Sequence, residues 1–137
     1  MIGALVAAFG ARAVALVQLP VALLGSVAGA WLFSVQHRFE ESHWERKEGW
    51  SHVQASLEGS SYLRLPALLQ WFTGNIGFHH VHHLSSRVPN YRLRACHEAA
   101  ISRGTVTELT LREALRAPCY ALWDEQSGQM VRFPGRR

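Results

Sequence analysis

The stretch MIGALVAAFGARAVALVQLPVALLGSVAGAWLFSVQ, residues 1–36, decides the fold class, because from Ile2 to Gln36 its only ionisable side chain is Arg12. Nearly every charge in the chain follows His37. A water-soluble core spreads its apolar residues along the chain at helix or strand period. A solid apolar block followed by a charged body is the pattern of a membrane anchor with a water-facing portion.

A secretory signal is the first alternative and fits poorly. No basic region precedes the apolar run, and the run is too long for a signal core. Two helices fit better. Residues 2–9 are apolar, Gly10-Ala11-Arg12 suits a short loop, and residues 13–36 run apolar for roughly the length of a bilayer span. Pro20 lies inside that run, where a membrane helix tolerates a kink if neighbours satisfy the freed carbonyl. Breaking the block at Pro20 instead would leave Arg12 at mid-bilayer, a costly position. The stretch before Gly10 is only about half the roughly 17 residues of a span. It therefore reads as the end of a longer helix, and the chain as truncated.

Beyond residue 36 the sequence reads as helical and charged. Arg38 to Glu48 is rich in Glu and Arg with Phe39, Trp44 and Trp50 interleaved, and Gly59-Ser60-Ser61 punctuates. Leu63 to Phe72 resumes an apolar helical pattern with Pro66 near its start, where proline is tolerated. Ser85 to Tyr91 reads as a loop, and a helix from Cys96 to Ile101 runs to Gly104. Thr110-x-x-Glu113 is a capping box opening a further helix with Leu111, Ala114 and Leu115. The tail from Trp123 to Arg137 is open between short extended structure and disorder. The expected fold class is all-α: an integral-membrane protein with the end of one transmembrane helix, one full transmembrane helix and a cytoplasmic helical cap. Residues 1–36 form the membrane segment, and residues 37–137 the remainder of the same domain.

At 137 residues the chain has a single-domain length, and 48% of it is hydrophobic. Its formal charge is +4, and thirteen of its fourteen Lys and Arg follow His37. The positive-inside rule therefore places that body in the cytoplasm, where a basic surface suits anionic headgroups. The arginines are scattered and no nucleic-acid reader motif accompanies them, which argues against a nucleic-acid partner. Cys96 and Cys119 stand far apart without a C-x-x-C pair, so free thiols in a reducing compartment are expected, and no cysteine zinc site.

Eight histidines occur: His37, His43, His52, His79, His80, His82, His83 and His97. Four lie within five positions. On a helix His79, His82 and His83 occupy i, i+3 and i+4 on one face, with His80 about 100° away. Three neutral imidazoles on one face suit iron, zinc or copper. Exposed histidine tracts also bind metals adventitiously, but this one lies between the apolar stretches Leu68–Phe78 and Val81–Leu84. Buried imidazoles there need partners, and a metal serves several at once.

WFTGNIGFHHVHHLSSRVPNYRL, residues 71–93, resembles the third histidine box of membrane fatty acid desaturases, closest to the bacterial acyl-lipid, delta-12-like type. WLFSVQHRFEESHWE, residues 31–45, is similar to the segment where those enzymes leave their fourth membrane helix. LEGSSYLRLPALLQW, residues 57–71, and LTLREALRAPCYALWDE, residues 109–125, resemble their linking and terminal segments. The resemblance covers essentially the whole chain. It implies a non-haem di-iron centre that uses dioxygen to introduce a double bond into an acyl chain, an acyl-lipid or other fatty-acyl substrate, and a separate electron donor such as a ferredoxin or cytochrome. It also implies His79, His82 and His83 as metal ligands, with His37 as the isolated ligand at the cytoplasmic end of the membrane helix. A helix-end interfacial histidine is the plainer reading of His37. His80 is expected beside the ligands or at the surface, and His43, His52 and His97 at the surface. Asn75 and Gln36 are candidates to hydrogen-bond a ligand imidazole or a bound water, or to cap and pack. Trp31, Phe33, Trp71 and Phe72 are candidates to line an acyl channel, or to pack and anchor at the membrane.

The chain departs from that family pattern in one respect. The earlier boxes, H-x-x-x-H and H-x-x-H-H, are missing; the only H-x-x-x-H match is His79 with His83. Four imidazoles cannot hold two irons. The expectation is an incomplete desaturase fold, inactive alone, that either comes from a truncated gene or pairs with a separate N-terminal half. The competing expectations are a related membrane hydroxylase or carotenoid oxygenase, and a non-catalytic membrane protein holding one metal.

Overall fold

The computed structural model describes residues 1–100 and 106–134. It divides into two compact units, Met1–Phe33 and Ser34–Arg137. The first holds helix α1 (Ile2–Phe9) and most of α2 (Ala11–Val35). The break between them is narrower than the sequence suggests. Gly10 alone makes it, with a φ of 81° and its N–H bonded to the Val6 carbonyl. This left-handed backbone favours glycine. Arg12 consequently lies in the first turn of α2 rather than in a loop. Pro20 is accommodated within the 25-residue helix, which is long and apolar enough to cross a membrane. Its outward side chains, such as Leu16, Leu19, Leu24 and Val27, are mostly exposed.

In the second unit, residues 38–51 form turns and irregular backbone instead of the expected helix. Phe39, Trp44 and Trp50 stand five and six apart, which matches no helical face. The segment is held from outside itself: Met130 N–H donates to the Glu40 carbonyl, Arg46 pairs with Glu125 at 2.7 Å, and Trp44 packs on Trp123. Helix α3 (His52–Glu58) follows. Next comes strand β1 (Tyr62–Arg64), where a continuous helix from Leu63 is expected, and then α4 (Ala67–Phe72), which Pro66 opens as N-cap. A 3-10 turn (Ile76–Phe78) leads into the histidine helix α5 (His79–Leu84). Helix α6 (Leu93–Ala100) follows the loop; the expected continuation from Ile101 to Gly104 lies outside the described residues.

Strand β2 (Glu108–Thr110) pairs in parallel with β1, Leu63 facing Leu109, and both leucines are buried. Thr110 also caps α7 (Leu111–Ala114). Its hydroxyl accepts from Glu113 N–H and its own N–H donates to the Glu113 carboxylate, the capping box expected from the sequence. The tail is an antiparallel hairpin, β3 (Tyr120–Asp124) and β4 (Gln129–Arg132), with positive-φ Gly128 in its turn. The protein is thus mostly helical, and its two short sheets lie outside an all-α description. Three-residue strands are too short to display a two-residue period.

Candidate metal centre

Helix α5 is positioned from three sides before any histidine is considered. Phe78 and Val81 are buried with Leu93 of α6 in one apolar cluster. Gln36 carries an amide that is almost wholly buried and donates to the Ile76 carbonyl at 2.6 Å. Gly77 passes so close to β1 that a β-carbon there would stand 2.5 Å from the Leu63 carbonyl oxygen. These contacts fix the rotation of α5, and that rotation separates its histidines.

On one side His79 and His83 meet His37, which follows α2. The three Nε2 atoms form a triangle with sides of 3.0 Å (His37–His79), 3.1 Å (His79–His83) and 3.3 Å (His37–His83). The His37 Nδ1 lies 3.3 Å from the Gly59 carbonyl. That oxygen can only accept, so Nδ1 carries the proton and Nε2 presents its lone pair. Burial lowers the His37 pKa below its usual value, the Gly59 carbonyl opposing it. Burial also pushes His79 down to about 3, with His37 and His83 adding to the effect. His83 is lowered in the same way, by burial first and then by His37, His82 and His52. All three imidazoles are neutral at pH 7, the form that binds metal.

Hydrogen bonds alone cannot satisfy this triangle. Each neutral Nε2 carries either a proton or a lone pair, so among three at least two are alike and face each other. One shared cation removes the conflict. Nitrogens about 2.1 Å from an ion, at angles between octahedral and tetrahedral, stand about 3.0–3.4 Å apart, which the triangle matches. The donor set of three imidazoles suits iron, zinc or copper.

The other predicted site residues lie as follows. His82 is exposed, its ring stacked alongside His79 at 5.8 Å between centroids, outside the triangle. His80 turns away from the triangle and is 0% exposed, its Nε2 2.8 Å from His97 Nδ1. Burial, with His97 next, lowers the His80 pKa to about 4. His97, expected at the surface, is buried between Tyr62 and Phe78. The signal for it was present: Leu93, Cys96, His97 and Ala100 follow the i, i+3, i+4, i+7 period of one helix face. His43 is half-buried 3.8 Å from the Glu58 carboxylate, and His52 is exposed at the start of α3. Gln36 and Asn75 both direct their amides at backbone carbonyls, of Ile76 and Asn90 respectively. Trp71 and Phe72 are exposed and in edge contact with each other, Phe33 is exposed and Trp31 half-buried. The role of the Gly59 carbonyl in orienting His37 was illegible in the sequence, since any residue supplies a carbonyl.

A family model described as Fatty acid desaturase matches residues 1–109. The chain is 51% identical over 125 residues to the Fatty acid desaturase of Bacillus subtilis (strain 168), covering 91% of this chain and 36% of that protein. It is 32% identical over 65 residues to the chloroplastic Omega-6 fatty acid desaturases of Arabidopsis thaliana and Glycine max, covering 47% of this chain and 14% and 15% of theirs. The chain therefore spans little more than a third of the longest-matched of these relatives, at 36%. No solved structure matches it. The match over most of its length carries the conclusion: the chain belongs to the fatty acid desaturase family.

Proposed function

We propose that this chain is the C-terminal portion of a membrane di-iron fatty acid desaturase, in which His37, His79 and His83 hold one iron. The single observation that carries the metal proposal is the triangle of Nε2 atoms, which no assignment of protons satisfies. His82, exposed beside His79, is the proposed ligand of a second iron. The remaining ligands would come from the family's two earlier boxes, H-x-x-x-H and H-x-x-H-H, since this sequence matches those patterns only within residues 79–83. The isolated chain is accordingly expected to be inactive.

The iron pair, when bound, supplies dioxygen activation. The overall reaction converts one CH2–CH2 unit, dioxygen, two electrons and two protons into CH=CH and two waters. The electrons arrive singly from a separate ferredoxin-like or cytochrome donor. The chain's own residues hold the imidazoles neutral by burial, fix the His37 tautomer through Gly59, and clamp α5 through Gln36. Asn75 supports the approach to that helix, and His80, within it, ties it to α6 through His97. Trp31, Phe33, Trp71 and Phe72 are proposed to flank the acyl chain. In this reading residues 1–36 form the membrane segment, α2 spans the bilayer, and residues 37–137 lie on the cytoplasmic side of the same domain.

A non-catalytic membrane protein holding a single metal is the second reading, favoured by the fact that only three imidazoles converge among the described residues. Co-expression with the N-terminal segment of the Bacillus subtilis relative separates the two. Bound iron near two per complex and new double bonds in extracted fatty acids support the desaturase. One metal per complex with unchanged fatty acids supports the single-metal protein and overturns the first reading.

A further inference from the structure

Helix α4 is built inside out for a water-facing element. Gln70, its most polar side chain, is 3% exposed and donates to the Leu63 carbonyl, packed against Gly77. The apolar residues around it face outward: Leu68 is 67% exposed, Trp71 71% and Phe72 70%, with Leu69 also exposed. In water this arrangement forfeits the burial of apolar surface and desolvates an amide. It is favourable only if the outer face meets something apolar.

The position of α4 identifies that surroundings. Four residues after Phe72, the Ile76 carbonyl accepts from Gln36, the residue immediately following the apolar helix α2. The Gln36 carbonyl in turn accepts from Ser61 N–H, just before β1. Helix α4 is therefore strapped, through two short connections, to the point where the chain leaves its bilayer-length helix. A chain that exits a membrane there holds α4 at the level of the interface, where Trp and Phe are enriched and short amphipathic elements lie flat.

We propose that α4 is a lipid-docking element whose Leu68, Leu69, Trp71 and Phe72 sit in the interfacial zone of the bilayer that α2 crosses, seating the histidine helix at the membrane surface. The proposal rests on α2 spanning the bilayer and is independent of the metal chemistry. Lipid on this face also brings acyl chains against Trp71 and Phe72, the aromatics proposed to meet substrate.

The test uses the full chain reconstituted in phosphatidylcholine–phosphatidylglycerol vesicles, with and without lipids brominated near the headgroup end of their acyl chains. The wild-type minus Trp71→Phe difference isolates the emission of Trp71; the Trp31→Phe difference reports α2. Lipid docking predicts that brominated lipid quenches most of the Trp71 emission while aqueous iodide leaves it. Iodide quenching without bromine quenching places the face in water and overturns the proposal. Insensitivity to both means that protein covers it, which also overturns the proposal. If Trp31 is quenched by bromine and Trp71 is not, α4 docking fails while the membrane reading of α2 stands; if neither is, both fail.

Discussion

Helix α5 carries two histidine clusters on different sides, and they differ in parity. His79 and His83 join His37 in a set of three, whereas His80 joins His97 in a set of two. In the pair, one ring donates and the other accepts, so a single 2.8 Å hydrogen bond satisfies both facing nitrogens. The triangle admits no such assignment. The same residue type on the same helix thus yields one hydrogen bond between the buried His80 and His97, and a triangle of facing nitrogens among the buried His79, the half-buried His37 and the exposed His83. The count of converging nitrogens, rather than the burial of any one ring, distinguishes the candidate metal cluster from the packed pair.

Acid should affect both clusters alike, and this is the largest effect expected. The folded pKa values of about 3 for His79 and about 4 for His80 lie below the ordinary 6.5. The unfolded chain therefore takes up protons first as pH falls. The associated stability is fully present above about pH 6.5 and is lost as pH drops toward 4 and 3. Between pH 7 and 5 the metal-free protein should lose on the order of 4 kcal/mol from these two groups together. Chemical denaturation at several pH values checks this. Stability that does not fall over the range would mean that these histidines are not held neutral by the fold.

Metal should break the symmetry. Removing one ligand, as in His79→Ala, should weaken cobalt(II) binding on the order of a hundredfold or more, beyond the loss typical of an outer partner. Titration followed by the visible cobalt spectrum measures it. His97→Ala leaves the buried His80 nitrogen without its partner and should cost about 1–3 kcal/mol of stability, yet change cobalt affinity by less than about tenfold. If the two substitutions weaken metal binding equally, the clusters are not independent and the parity argument fails.

Much of this comparison was legible in the sequence. The i, i+3, i+4 spacing put His79, His82 and His83 on one face and turned His80 away, because helical geometry is local. Two features were not legible. The Gly59 carbonyl that orients His37 is a backbone atom brought close by the fold. The separation of His82 from the triangle depends on the rotation of α5, which Gln36 and Gly77 set through contacts distant in sequence. The failures in secondary structure have a common origin. Arg38 to Glu48 and Leu63 to Arg64 take their conformation from partners elsewhere, Glu40 from Met130 and β1 from β2. Charge content and short apolar runs carry no information about such partners.

The smallest effect tests how the chain enters α5 just ahead of both clusters. Asn75 is the only non-glycine residue with positive φ among those described, at φ 60°, and its amide donates to the Asn90 carbonyl across the loop. A left-handed backbone costs an ordinary L-residue about 1–2 kcal/mol, and asparagine less. Asn75→Ala should therefore lose about 1 kcal/mol or slightly more, through strain and the missing hydrogen bond together. Asn75→Gly removes the strain and loses only the hydrogen bond, so it should lie between alanine and wild type. Denaturant midpoints rank the three. The discriminating measurement is cobalt affinity in the same variants. If Asn75 serves only the turn, both variants bind as wild type does, since the triangle is clamped beyond it by Gln36. If the alanine variant also loses metal affinity, the turn transmits its geometry through Phe78 to His79, and the clamp extends one residue further back than the Gln36 contact at Ile76 implies.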